Sequence, residues 1–207
     1  MSIKLYGFPI SNYYNMVKAI LIEKGMDFEE VLVKPNQDSD YLSKSPMGKV
    51  PALETDHGFL TETGVMMDYL DSLGEGPSFY PEDPYEKAKV QEIIRYLELY
   101  VELPARRLYG DVFFGKPASD ELKAEVKPQL EKGFAALSKI AKYEPYIAGS
   151  QISYADFYFR FSFNLATLVC RRALDWNAQG EFEGAKNLMK LMDERASIQK
   201  VLADQKA

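Results

Sequence analysis

The chain has 207 residues, 46% of them hydrophobic and 27% charged, which is the composition of an ordinary soluble protein with one large domain or two small ones. One cysteine excludes an internal disulfide, and one cysteine with one histidine is too few for a conventional zinc site, so no metal is expected. The net charge of −6 is uneven: residues 1–80 carry 6 lysines, no arginine and 12 acids, which argues against nucleic-acid binding there, while the rest balances at 19 and 19.

Met1-Ser2-Ile3-Lys4 leads straight into a strand-like run. No signal peptide is visible, so a cytoplasmic location is expected. Ile3 to Gly7 reads as a short strand and Phe8 to Asn12 as a loop. Met16, Val17, Ala19, Ile20 and Leu21 form the apolar stripe of a helix that Gly25 stops. Phe28 to Val33 is a second strand, so the chain opens with a βαβ unit. A short helix is expected over residues 38–44. Val50-Pro51 opens an apolar run ending at Leu53. Asp56-His57-Gly58 is a turn, and Phe59-Leu60 is the returning strand. Val65, Met66, Tyr69, Leu70 and Leu73 then recur at helical spacing. His57, the sole histidine, reads as a solvated turn residue, which removes a Ser-His-Asp hydrolase from consideration.

Three places in this part could hold a ligand. In a βαβ unit the ligand sits beyond the carboxyl ends of the strands, which points to the loop from Phe8 to Asn12. Pro51 has no N–H, and a peptide ligand could pair with the backbone of Val50 as an added strand. Glu62 and Thr63 stand at the start of a helix, where free N–H groups and the dipole favour a carboxylate. Glu62 could face an ammonium group. A carboxylate beside an ammonium is the head of a γ-glutamyl group.

Gly74-Glu75-Gly76-Pro77 and Tyr80-Pro81-Glu82-Asp83-Pro84 read as a linker. Asp83 should cap the next helix, with Pro84 at its first position. Val90, Ile93, Ile94, Leu97 and Val101 make one apolar face of that helix. Tyr96, Leu99, Tyr100 and Leu103 make a second, and Pro104 is expected to kink or end it. Tyr109, Phe113 and Phe114 lie in an apolar connection. A further helix from Leu122 to Ile140 is expected to be disturbed at Pro128. Ser153 and Asp156 are spaced as a capping box that starts a buried helix, Tyr154 to Leu174, and are assigned to folding. That helix carries Cys170, expected to be an inert core thiol. Its longest apolar stretch, near Phe161 to Cys170, is too short for a membrane span. Two closing helices follow, over 182–195 and 197–203.

Val-Pro-Ala-Leu, the Glu62-Thr63 pair, the loop Lys-Leu-Tyr-Gly-Phe-Pro-Ile-Ser-Asn and the Ser153 capping box together resemble the cytosolic glutathione transferases. The resemblance spans nearly the whole chain. Thr63 stands where that family usually has serine, and keeps the hydroxyl. The resemblance implies an α+β protein. Residues 1–76 would form a thioredoxin-like, glutathione-binding domain of order βαβ-α-ββα, 77–84 the linker, and 85–207 an all-helical domain with the electrophile pocket. It implies glutathione as co-substrate, a small hydrophobic electrophile and a homodimer engaged in detoxification, with no nucleic acid or membrane partner. The loop is similar to the serine-using classes, phi and zeta, and counting back from Gly25 puts Ser11 at their catalytic serine. Tyr6 and Tyr14 are the alternatives. Lys49, Val50, Pro51, Glu62 and Thr63 would hold glutathione, and Tyr100, Tyr109 and Phe113 would line the electrophile pocket. A glutathione-dependent isomerase or peroxidase, or a non-catalytic relative, are the other functions that the resemblance leaves open.

Overall fold

A computed structural model describes residues 2–206. Met1 and Ala207, the outer ends of the two expected domain ranges, lie outside the described residues. The chain separates into two compact units, Met1–Phe79 with Asp193–Ala207, and Tyr80–Met192.

The first unit runs β1 (Lys4–Gly7), α1 (Asn12–Glu23), β2 (Glu29–Leu32), α2 (Ser39–Leu42), β3 (Ala52–Thr55), β4 (Gly58–Leu60) and α3 (Thr63–Ser72). The sheet order is β2-β1-β3-β4, with β1 and β2 parallel and the other pairs antiparallel. This is the thioredoxin-like arrangement. Leu5 and Leu53 face each other across β1 and β3 and are fully buried, as are Met16, Val17, Ile20 and Leu21 of α1 and Met66, Met67 and Leu70 of α3. Each such side chain contributes roughly 1.5–3 kcal/mol relative to exposure. Gly7 is required by that packing: a Cβ there would lie 2.3 Å from the Tyr14 ring. Gly76, at φ 64°, passes so close to α1 that a Cβ would meet the Lys24 carbonyl oxygen at 2.2 Å.

The second unit contains α4 (Pro84–Tyr96), α5 (Leu103–Arg106), α6 (Tyr109–Phe113), α7 (Asp120–Leu137), α8 (Tyr154–Tyr158), α9 (Asn164–Ala173) and α10 (Ala185–Asp193), the last residue of which falls in the first unit. Asp83 caps α4, accepting the N–H groups of Tyr85 and Glu86, both at 2.9 Å. Two features differ from expectation at prolines. The long helix neither ends nor breaks at Pro104. It widens into a π-helical segment, Leu97–Glu102, and continues as α5. Pro104 cannot donate to the Tyr100 carbonyl, and at that point α7 comes so near that a Cβ on Gly133 would lie 1.9 Å from the Tyr100 oxygen. Pro128 lies inside α7, which runs on without a break. Ile140 lies beyond the end of α7, and Tyr109–Phe113 is a short helix where a connection was expected. A second π-helical segment, Phe159–Phe163, joins α8 to α9.

The closing segment also departs from the expected domain range. The final helix, α11 (Ala196–Asp204), packs on α1 in the first unit. Two polar clusters hold it there. Glu23 accepts from Arg195 Nε at 2.7 Å and Nη2 at 2.6 Å, and from Ser197 Oγ at 2.5 Å. Buried Lys18 donates to Asp204 at 2.7 Å. These partners lie on opposite ends of the chain, so no local pattern announces them. No described helix is long and apolar enough to cross a membrane.

Candidate active site

The sheet register gathers the three expected ligand-binding places at one end of the first unit. Tyr6 pairs with Ala52, so the loop after β1 lies beside Val50-Pro51. Leu53 pairs with Leu60, so Thr61, Glu62 and Thr63 come alongside the same corner.

Ser11 is the N-cap of α1, in extended conformation and half-buried. Its Oγ accepts the Tyr14 N–H at 3.3 Å. A hydroxyl has one proton and two lone pairs, so an oxygen that accepts from the helix can still donate outward. Capping the helix and donating to a ligand are thus compatible. The loop is pinned by Asn15, 1% exposed, whose amide donates to the Pro9 carbonyl at 2.7 Å. Asn15 was not singled out in the sequence, where it reads as one polar residue in an apolar stripe.

The two tyrosines are placed differently. The Tyr14 ring abuts the backbone of Gly7, so α1 lies on the face toward which Leu5 and Gly7 point. Tyr14 is fully buried, its hydroxyl donates to Glu30, and burial, then that carboxylate, push its pKa well above the ordinary phenol value. Tyr6 alternates to the opposite face. There it donates to Glu54 at 2.5 Å and meets Phe59 edge to face, and burial, then Glu54, push it up to about 12.

The peptide bond between Val50 and Pro51 is cis. Val50 lies outside the β1–β3 ladder, whose pairing ends at Ala52. The carbonyl of Lys49 is held by the Tyr41 hydroxyl at 2.9 Å and by Ser45 Oγ at 2.8 Å, while its side chain is exposed. Glu62 has φ 66° and ψ 118°, a conformation that L residues rarely adopt and that concentrates at ligand sites. It is exposed, Thr63 beneath it is buried, and α3 begins with no side-chain cap. His57 is exposed in the β3–β4 turn.

The residues expected to line an electrophile pocket, Tyr100, Tyr109 and Phe113, lie in the second unit. Tyr109 and Phe113 meet edge to face at 5.2 Å, and the Tyr109 hydroxyl donates to buried Glu102 at 3.1 Å. Tyr100 is 49% exposed and meets Tyr96 instead. Ser153 and Asp156 form the expected capping box at α8. Asp156 accepts from Ser153 N at 2.7 Å and Ser153 Oγ at 3.0 Å, and its other oxygen accepts from Ile147 N at 2.8 Å. Cys170 is buried, and its thiol is pushed up to about 12.

Comparisons with known proteins agree on one family. Residues 5–78 match the family model for the glutathione S-transferase N-terminal domain, and residues 77–198 that for the C-terminal domain. A glutathione S-transferase of Pseudomonas putida is 44% identical over 205 residues, covering 99% of this chain and 93% of its own. Among solved structures, glutathione transferase F7 of Populus trichocarpa superposes with a TM-score of 0.81 at 23% identity, over 98% of this chain and 99% of the other. The beta-etherase LigF of Sphingobium does so with a TM-score of 0.79 at 21% identity, over 98% and 99%.

Proposed function

The chain belongs to the glutathione S-transferase family, and on that premise we propose that Ser11 activates the glutathione thiol by donating a hydrogen bond to its sulfur. The protein is a glutathione transferase, and glutathione is the co-substrate. The observation that carries the serine reading is the geometry of its cap: Ser11 Oγ takes a hydrogen bond from Tyr14 N–H and keeps its own proton for a ligand at the half-exposed helix start.

The energetics are sufficient. A free thiol has a pKa of about 8.5, so only a few per cent is thiolate at neutral pH. Lowering it by about two units needs about 2.7 kcal/mol of preference for the anion. A hydroxyl donating to a charged group supplies roughly 1.5–3 kcal/mol. The start of α1 adds about 0.3–1 kcal/mol. Sulfur is the nucleophile, and Ser11 never loses its proton.

The other contacts follow from the corner's chemistry. The backbone of Val50, beside Pro51, pairs with the cysteinyl part of glutathione. The uncapped start of α3 and the Thr63 hydroxyl take the γ-glutamyl carboxylate, and Glu62 faces the ammonium. Lys49 faces the glycine carboxylate. The electrophile is small and hydrophobic and meets the Tyr109–Phe113 pair, with Tyr100 a further candidate. Leu99, Tyr100 and Leu103 are 43%, 49% and 53% exposed on one helix stripe, which supports a homodimer that covers them. A cytoplasmic location goes with this reading. Isomerase or peroxidase activity, or binding without turnover, are the outcomes that a broad electrophile screen would separate.

The test is a pH titration of thiolate ultraviolet absorbance in enzyme–glutathione complexes. Ser11→Ala should move the midpoint up by about two units and cut the neutral-pH thiolate tens of fold. Raising the pH should partly rescue turnover. An unmoved midpoint in Ser11→Ala, with a shifted one in Tyr6→Phe, would transfer the role to Tyr6.

A further inference from the structure

Helix α1 is capped by Ser11, and its buried side is tied to the chain's last helix through a continuous polar path. Tyr14 makes three contacts at once. Its backbone N–H donates to Ser11 Oγ at 3.3 Å, its ring lies against the Gly7 backbone, and its hydroxyl donates to Glu30 Oε2 on β2. That same carboxylate oxygen accepts from Lys18 Nζ at 2.6 Å. Lys18 is 3% exposed, and it also donates to Asp204 Oδ2 of α11 at 2.7 Å. Asp204 is braced by Lys200 at 2.6 Å, and the hydrogen bonds from Lys18 and Lys200 hold its carboxyl below the usual range. The charged and titratable groups bonded along the path are therefore Tyr14 and Lys18 of α1, Glu30 of β2, and Asp204 and Lys200 of α11.

We propose that Tyr14, Glu30, Lys18 and Asp204 are positioning residues for Ser11, through which α11 sets the reactivity of the bound thiol. The physical reason lies in the first turn of α1. Helix ends fray because their outer N–H groups lack partners within the helix. The Tyr14 N–H reaches Ser11 Oγ only while the first turn is closed, and the Tyr14 hydroxyl is its anchor. That hydroxyl is held by Glu30, whose side chain is 36% exposed and whose Oε2 is fixed in turn by the buried Lys18 ammonium. Lys18 in turn is shared with the last helix. Loosening the path lets the first turn open, and the serine proton is then free to turn toward loop carbonyls instead of sulfur. A network of this kind can be worth more than its single pairs, because each member fixes the next.

The inference rests on Ser11 as the thiol activator, and the experiment separates the two. The thiolate titration is run on wild type, Asp204→Asn, Tyr14→Phe and Ser11→Ala, and on the double variants of Ser11→Ala with each of the others. Glutathione affinity is measured at low pH by calorimetry. Asp204→Asn and Tyr14→Phe should raise the thiolate midpoint by roughly half to one unit, a three- to tenfold loss of thiolate at neutral pH. Affinity at low pH should stay within about twofold, and neither change should add to Ser11→Ala, because its target is already gone. Asp204→Asn is at a partly exposed site and keeps the test available if Tyr14→Phe does not fold. The proposal is overturned if both variants keep the wild-type midpoint while Ser11→Ala moves it. It is equally overturned if they shift the midpoint as much without Ser11 as with it. If Ser11→Ala itself leaves the midpoint in place, the serine reading fails, and the path loses its object.

Discussion

Ser11 and Ser153 occupy the same position, the N-cap of a helix, in the two units of the chain. Their surroundings give their hydroxyl protons different destinations. Ser153 is 2% exposed, and its Oγ donates to Asp156, so its proton is used inside the fold. Ser11 is half-buried, and its Oγ is an acceptor for Tyr14, so that in the proposed function its proton goes to the ligand. The difference is set by the residue three positions on. Asp156 returns a carboxylate to its own cap, whereas Tyr14 sends its side chain away, to Glu30, and offers only its backbone. A helix start whose cap is closed on itself builds structure, and one whose cap is left open can do chemistry.

The comparison can be broken by substitution. The largest effect is expected at Asp156. Its removal leaves two buried N–H groups and the Ser153 hydroxyl without their acceptor, so Asp156→Ala should cost about 2–4 kcal/mol of unfolding free energy. Denaturant unfolding measures it, and the folded fraction should bind glutathione with wild-type affinity. Full stability with lost binding would reverse the assignment of this box to folding.

The same carboxylate gives a pH signature of similar order. Burial pushes Asp156 up to about 6 against the hydrogen bonds, chief among them those from Ile147 and Ser153, that favour its anion. The native state therefore holds the proton more tightly than the unfolded chain, whose aspartates titrate near 3.9. Stability from this group is fully present below about pH 4 and is lost as pH rises through about 6. Melting temperatures of wild type relative to Asp156→Asn should fall across that window. A flat difference would mean that Asp156 stays ionised throughout.

A third helix start sharpens the contrast. Helix α3 has no side-chain cap, and in the proposed function its first N–H groups and the Thr63 hydroxyl take the ligand carboxylate. Thr63→Ala should weaken glutathione binding by about 1–2 kcal/mol in calorimetry, with the ligand carboxylate less well satisfied. Unchanged affinity would place the ligand elsewhere. The smallest effect is on the stability of Ser11→Ala, about 0.5–1 kcal/mol for a lost N-cap, alongside a thiolate population reduced tens of fold. A stability loss as large as that of Asp156→Ala would show that Ser11 is mainly structural.

Much of this was legible in the residues. The element order of the first unit, the Asp83 cap, the Ser153 box and the meeting of Val50-Pro51 with Glu62-Thr63 follow from local patterns. The caps depend on residues within a few positions of one another, where backbone geometry alone decides who meets whom, and the corner depends on the β3–β4 hairpin, which a turn signal announces. At the prolines the outcome was mixed: a π-helical segment precedes Pro104 and the helix stops at Arg106, two residues beyond it, whereas α7 runs on through Pro128. Which aromatic rings meet was not legible: Tyr109 packs on Phe113 and Tyr100 on Tyr96, and spacing along the chain does not decide such pairing.

By itself the sequence determined that a strand–helix–strand unit carries a serine at its first helix, and that a second, helical part starts after residue 80. Only the tertiary structure decided where Tyr14 and Tyr6 point, that Asn15 pins the Pro9 carbonyl, and that the last helix joins the first unit. Lys18 meets Glu30 across 12 positions and Asp204 across 186. Contacts at such separation come from which surfaces the folded chain brings together, and Lys18, which reads as part of the polar side of its helix, names no partner until both carboxylates have arrived beside it.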